Sequence, residues 1–155
     1  MIAQSLNEMQ NAKGKMQNAK GKMQRAKCKM QRAKCKIEEN KMDNIIENKS
    51  FEFAVRIVNL YKHLTENKKE FVLSKQILRS GTSIGANVSE AQKGQSKADF
   101  NMKMNIALKE ANETEYWLRL LHQTDYLSDQ EFESIEKDAK EIIAILVSIC
   151  KKTNK

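Results

Sequence analysis

Between residues 50 and 149 apolar side chains return every three or four positions in four separate runs, and no proline interrupts any of them. That spacing is the period of a helix with one buried stripe, whereas strands alternate with period two. The first run, residues 50–66, has Ala54, Ile57, Val58, Tyr61 and Leu64 on one face, with Ser50 placed as its expected N-cap. The second, residues 72–92, carries Leu73, Ile77, Gly81, Ile84, Val88 and Ala91 on one face. The third opens at Ser96, with Asp99 as its capping pair, and continues through Phe100, Met104, Ala107, Leu108, Ala111, Leu118 and Leu121 to about Thr124. The fourth opens at Ser128 with Glu131 completing a capping box, and runs through Ile135, Ala139, Ile142, Ile143, Leu146 and Ile149 into a lysine-rich last turn. Short connections make consecutive helices antiparallel neighbours, so the expected fold is all-α, an antiparallel up-down-up-down four-helix bundle.

Charge divides the chain near residue 41. Residues 1–41 hold eleven lysines and arginines against Glu8, Glu38 and Glu39, which accounts for the whole formal charge of +8. Residues 42–155 hold seventeen of each sign, so a basic extension (1–41) precedes a charge-balanced domain (42–155) large enough to bury a core. The longest apolar run, Ile142 to Val147, is far short of the ~20 residues that span a bilayer, and the N-terminus lacks the apolar core of a signal peptide. No membrane partner is expected, and the expected location is the cytoplasm. Cys28, Cys35 and Cys150 form no C-x-x-C pair and read as free thiols.

The extension is a heptad written four times: MQNAKGK twice from Met9, then MQRAKCK twice from Met23. With Met9, Met16, Met23 and Met30 at position a, Ala12, Ala19, Ala26 and Ala33 fall at d, the seam of a coiled coil. Lysine fills both e and g, which disfavours pairing with a second copy of the same helix. Gly14 and Gly21 at f each cost about 1 kcal/mol of helix stability relative to alanine. Cys28 and Cys35, also at f, lie about 10.5 Å apart along a helix, too far for a disulfide within it. Two readings stand side by side. The extension is either a basic amphipathic helix that orders on a polyanion or an acidic partner, or a marginal, helical or disordered product of tandem expansion. Lys13, Lys15, Lys20, Lys22, Arg25, Lys27, Lys29, Arg32, Lys34 and Lys36 are its candidate contacts to RNA or DNA.

The stretch RSGTSIGANVSEA (79–91) puts two glycines and three serines inside the second helix. In a bundle this trades helix propensity for close packing: Gly81, Ser83, Gly85 and Ala86 remove side chains that would hold two backbones apart. Asn87 is the expected buried polar group that hydrogen-bonds across helices, and Glu115 the expected partner for polar groups of the second helix. The stretch lacks the spacing of a phosphate-binding loop, and no strand precedes it.

KSFEFAVRIVNLYKHL (49–64), LSKQILRSGTSIGANVSEA (73–91) and FNMKMNIALKEANETEYWLRLL (100–121) resemble the four-helix-bundle family of bacterial proteins that includes those encoded in intervening sequences of 23S ribosomal RNA genes. The resemblance covers nearly all of residues 42–155, and its packing signature falls on Gly81, Ser83, Ile84, Gly85, Asn87, Ala111 and Glu115. It is also similar to the accessory proteins of diversity-generating retroelements. That implies a homo-oligomer, a pentamer, and a reverse transcriptase or other protein as partner, together with RNA or DNA. The repeat has no counterpart in the family pattern.

No enzyme is expected, and neither is a cofactor or a metal. His63 and His122 belong to no ligand motif and read as solvated helix-end residues, and Glu110, Glu113 and Glu115 lack the histidines of a bundle di-iron site. Tyr116 and Trp117 read as core or subunit interface, as do the surplus apolar residues Phe51, Val55, Met102, Ile106, Leu120, Ile145 and Ile149. An oligomeric adaptor is the leading function class, with a direct RNA or DNA binder and a structural protein of a mobile element as alternatives. Met42 heads a self-sufficient domain and is expected to serve as a genuine or alternative initiator. Intact mass of the protein expressed from its own locus should show a species starting at Met42, and a dominant species starting at Met1 would contradict this.

Overall fold

The structure, a computed structural model, describes the backbone of residues 2–153 and the side chains of residues 16–37, 41 and 45–153. The side chains of Met9, Ala12, Lys13, Gly14, Lys15 and Met42 lie outside the described residues. The helices are α1 (Ile2–Glu66), α2 (Leu73–Gln92), α3 (Lys97–Gln123) and α4 (Asp129–Thr153), so the described chain is all-α. It divides into two compact units, Met1–Lys41 and Met42–Lys155.

In the first unit the described side chains, residues 16–37 and 41, are all exposed. In the second, α1 to α4 enclose one core. Phe53, Ile57 and Leu64 of α1 meet Ile77, Ile84 and Val88 of α2, Met104, Leu118 and Leu121 of α3, and Ile142 and Leu146 of α4, all buried. Apart from Phe53, these are residues of the four stripes, withdrawn from water for about 1.5–3 kcal/mol per large side chain. In α1 the buried line runs through Phe53, Ile57 and Leu64, while Ala54, Val58 and Tyr61 are half-buried beside it. Ile149, expected at a surplus face, is buried in the core, because the stripe of α4 continues from Ile142 and Leu146 to the end of the helix.

Ser50 is not an N-cap. It lies inside α1, buried, with its hydroxyl donating to the Glu47 carbonyl at 3.0 Å, and Ile46 one turn earlier is also buried. With neither glycine nor proline between residues 22 and 80, nothing in the sequence ends the helix there. The other two expected caps form. Ser96 Oγ accepts the Asp99 N–H at 3.1 Å, while Ser128 N–H and hydroxyl both donate to Glu131 Oε2, at 2.9 and 2.7 Å.

The α2 cap comes from Glu70, a buried carboxylate that the stripe pattern does not reveal. It accepts the N–H groups of Val72, Leu73 and Ser74 at 2.9, 2.8 and 2.6 Å, and the Ser74 hydroxyl donates back to the Glu70 carbonyl. Burial alone would raise the Glu70 pKa, but the N–H donors of the helix start outweigh it and hold the carboxyl below its ordinary value of 4.5. A depressed carboxyl pKa means that this stabilisation is present above the ordinary value and lost as pH falls through the folded-state value. Glu70→Gln is therefore expected to cost about 1–2 kcal/mol at neutral pH. The gap to the unchanged protein should close in urea titrations as the pH is lowered through the acid range, and a gap independent of pH would contradict the assignment.

Candidate functional site

The site with most sequence character is the face where α2 lies on α1. A Cβ built on Gly81 would stand 2.7 and 2.8 Å from Cγ1 and Cγ2 of Ile57, closer than carbon atoms approach. Those are the branch atoms of a buried side chain with few rotamers, so Ile57 cannot swing aside. One turn on, a Cβ on Gly85 would lie 3.3 Å from the Ser50 carbonyl oxygen, which is fixed backbone. Gly21 in the first unit has nothing within 4 Å of the same position, so a glycine in this chain is not by itself a packing device.

The remaining signature residues divide by face. Ile84 and Ala111 are buried, while Ser83, Asn87 and Glu115 are half-buried. Asn87 does not bridge helices: its Nδ2 donates to the Ser83 carbonyl at 2.9 Å and to Ser83 Oγ at 3.2 Å, all within α2. The cross-helix polar contact is made instead by two fully buried hydroxyls, Ser80 of α2 and Thr114 of α3, 3.0 Å apart, with Thr114 also donating to the Glu110 carbonyl of its own helix. A hydroxyl can satisfy its own helix and a neighbour together, which suits it to an interior position better than a longer amide. Ala86 is exposed, so it does not serve the α1–α2 contact.

Ala86 instead lines an open groove of about 500 Å³ together with Phe51, Ala54, Thr82, Gly85 and Ser89, with Glu47, Asn48 and Glu52 at its margin. Phe51 is 70% exposed there and Val55, one turn along α1, 47%. On α3, Met102 and Tyr116 are exposed, and Ile106, Trp117 and Leu120 are half-buried. Trp117 Nε1 donates to Glu113 at 3.1 Å, and its ring meets Tyr116 edge-on at 5.0 Å.

Polar contacts at the periphery supplement the shared core between the other helices. Lys49 pairs with Glu141 at 2.9 Å; Arg56 bonds Asp138, the Ser134 carbonyl and Ser134 Oγ; His63 approaches Glu131 at 3.8 Å. His122 binds Asp129 at 2.8 Å and stacks on Phe132 at 4.3 Å. Both histidines are half-buried rather than solvated helix ends. His122 fastens α3 to the first turn of α4, while the His63 ring is held at its own end of α1 by Asn67, whose Nδ2 lies 3.0 Å from His63 Nδ1. Lys103 pairs with Glu90, so acidic groups interrupt the lysines near the α2–α3 connection. Lys20, Lys22, Arg25, Lys27, Lys29, Arg32, Lys34 and Lys36 are all exposed on the first unit. Among the described residues no group of three or more histidines, cysteines or acids is placed to hold a metal, and no helix is long and apolar enough to cross a membrane.

The family model described as 23S rRNA-intervening sequence protein matches residues 42–148. Among solved structures, the chain is 64% identical to a protein of unknown function from the S23 ribosomal protein family of Bacteroides thetaiotaomicron, with a TM-score of 0.70 over 71% of this chain and 98% of the other. No curated protein matches.

Replacing Gly81 or Gly85 by leucine should overpack the α1–α2 face and lower stability by about 1–3 kcal/mol or more. Thermal unfolding measures this, and unchanged midpoints for both variants would show that neither glycine is confined.

Proposed function

Because the chain belongs to the 23S rRNA-intervening sequence protein family, we propose that it is a non-enzymatic, cytoplasmic, homo-oligomeric adaptor that binds a protein or ribonucleoprotein partner. The second unit is read as an antiparallel up-down-up-down four-helix bundle. Paired contacts support that topology: Lys49, Arg56 and His63 rise along α1 as their partners Glu141, Asp138 and Glu131 fall along α4. The observation that carries the adaptor reading is apolar surface left over once the core is complete. Phe51 and Val55 stand exposed beside the α1–α2 groove, and Met102 and Tyr116 are exposed on α3. A helix face that exposes such side chains is the kind of surface that subunit interfaces cover. The number five rests on the similarity to retroelement accessory proteins, as does a reverse transcriptase as partner.

Light scattering on residues 42–155 is expected to report a pentamer at micromolar concentration. A monomer would overturn self-association, and a dimer would overturn only the stoichiometry.

The alternative of direct RNA or DNA binding is favoured by one observation, the exposed basic side chains of the first unit. In that case affinity should require residues 1–41, with log K against log salt sloping near −3.5 to −4.5 if about five cations meet phosphates. Equal affinity and equal slope for the full chain and for residues 42–155 would place nucleic-acid binding on the bundle.

A further inference from the structure

Among the described residues, the heptads of the first unit present an exposed seam. Met16, Met23, Met30 and Ile37 occupy successive a positions and are 58%, 62%, 64% and 68% exposed, and the alanines between them at d are exposed too. Apolar side chains at a and d with lysine at e and g describe one strand of a coiled coil. We propose that residues 9–37 form the basic strand of a heteromeric coiled coil whose partner is an acidic heptad helix, with glutamate or aspartate at its own e and g positions.

Three features select this occupant. A second copy of the strand would set lysine against lysine along both flanks of the seam, from Lys20 to Lys36 among the described residues, whereas an acidic helix turns each of those positions into an attractive pair. An anionic membrane calls for a broad apolar face with aromatic and leucine side chains, and this seam is two residues in seven, methionine and alanine with Ile37 at its end, the width of a coiled-coil stripe. Phosphates would be met by the lysines and arginines alone and give no reason for methionine to recur every seventh residue. Alanine at every d leaves a shallow row that leucine-sized side chains of the partner fill, while methionine adapts its shape around them. The residues with least to offer a helix interface, Gly21, Cys28 and Cys35, share position f, which points away from the seam.

This partner helix binds residues 9–37, so the proposal stands or falls independently of self-association by the bundle. The probe is a synthetic four-heptad peptide with isoleucine at a, leucine at d and glutamate at e and g, whose own charges oppose self-pairing. Full-length protein is titrated with this peptide, with a scrambled peptide of the same composition, with duplex RNA and with phosphatidylglycerol vesicles. A triple variant, Met16→Gln, Met23→Gln and Met30→Gln, keeps every charge and leaves the second unit untouched. The heptad peptide is expected to bind at least about tenfold more tightly than the scrambled one, and the triple variant to lose about tenfold or more for the heptad peptide while binding RNA as before. Equal affinity for the two peptides, full binding by the triple variant, or tighter binding of RNA or vesicles than of the heptad peptide would each overturn the proposal.

Discussion

The second unit depends on α2 being able to lie directly on α1. Ile57 fills the space that any side chain at position 81 would need, and Ser50 brings its backbone carbonyl to the edge of position 85. Each glycine costs about 1 kcal/mol of helix propensity relative to alanine, whereas burying an isoleucine contributes about 1.5–3 kcal/mol, so close approach wins. Once the two helices meet, Ile77, Ile84 and Val88 of α2 are carried into contact with the stripes of α3 and α4. On the other side of the same stretch, exposed Ala86 and half-buried Ser89 line an open groove beside Phe51.

The polar groups act on register more than on stability. Surface pairs such as Lys49 with Glu141 contribute about 0–1 kcal/mol, and the partly exposed Arg56–Asp138 pair belongs with them. Ser80 and Thr114 differ because both are fully buried. A slip of α3 along α2 would strand two hydroxyls in an apolar interior at about 1–3 kcal/mol each, so this pair opposes sliding that the apolar core would tolerate. Glu70 plays the corresponding part at the start of α2, where three N–H groups converge on one carboxylate.

Much of this was legible in the sequence, and the failures have physical causes. The apolar stripes located all four helices, and Ser96, Ser128 and Glu131 marked two starts, because a cap is a local interaction between residues three apart. Ser50 misled for the same reason: a serine before an apolar run looks like a cap, and only the burial of Ile46 one turn earlier shows the helix already under way. Packing at Gly81 and Gly85 was legible as a need for small residues, although not which helix they face. Asn87 was the wrong polar residue because it is only half-buried and bonds within α2, whereas Ser80 sits one turn from Ile77 and Ile84 on the buried stripe, and Thr114 belongs to the matching face of α3. Glu70 was missed because its donors are backbone groups, which no side-chain pattern records. The split of charge at residue 41 needed no structure at all, since it is a property of composition.

On the two proposals the chain divides into a neutral bundle that packs by shape and a basic helix suited to a partner of opposite charge along a narrow seam. The bundle half rests on the claim that position 81 is glycine because Ile57 occupies its space. Gly81→Ala should be measured in two backgrounds, the unchanged chain and Ile57→Ala, by urea unfolding of residues 42–155. With Ile57 present the added methyl should destabilise; with Ile57→Ala it should become neutral or stabilise by up to about 1 kcal/mol, the ordinary gain of alanine over glycine in a helix. The same cost in both backgrounds would contradict the claim.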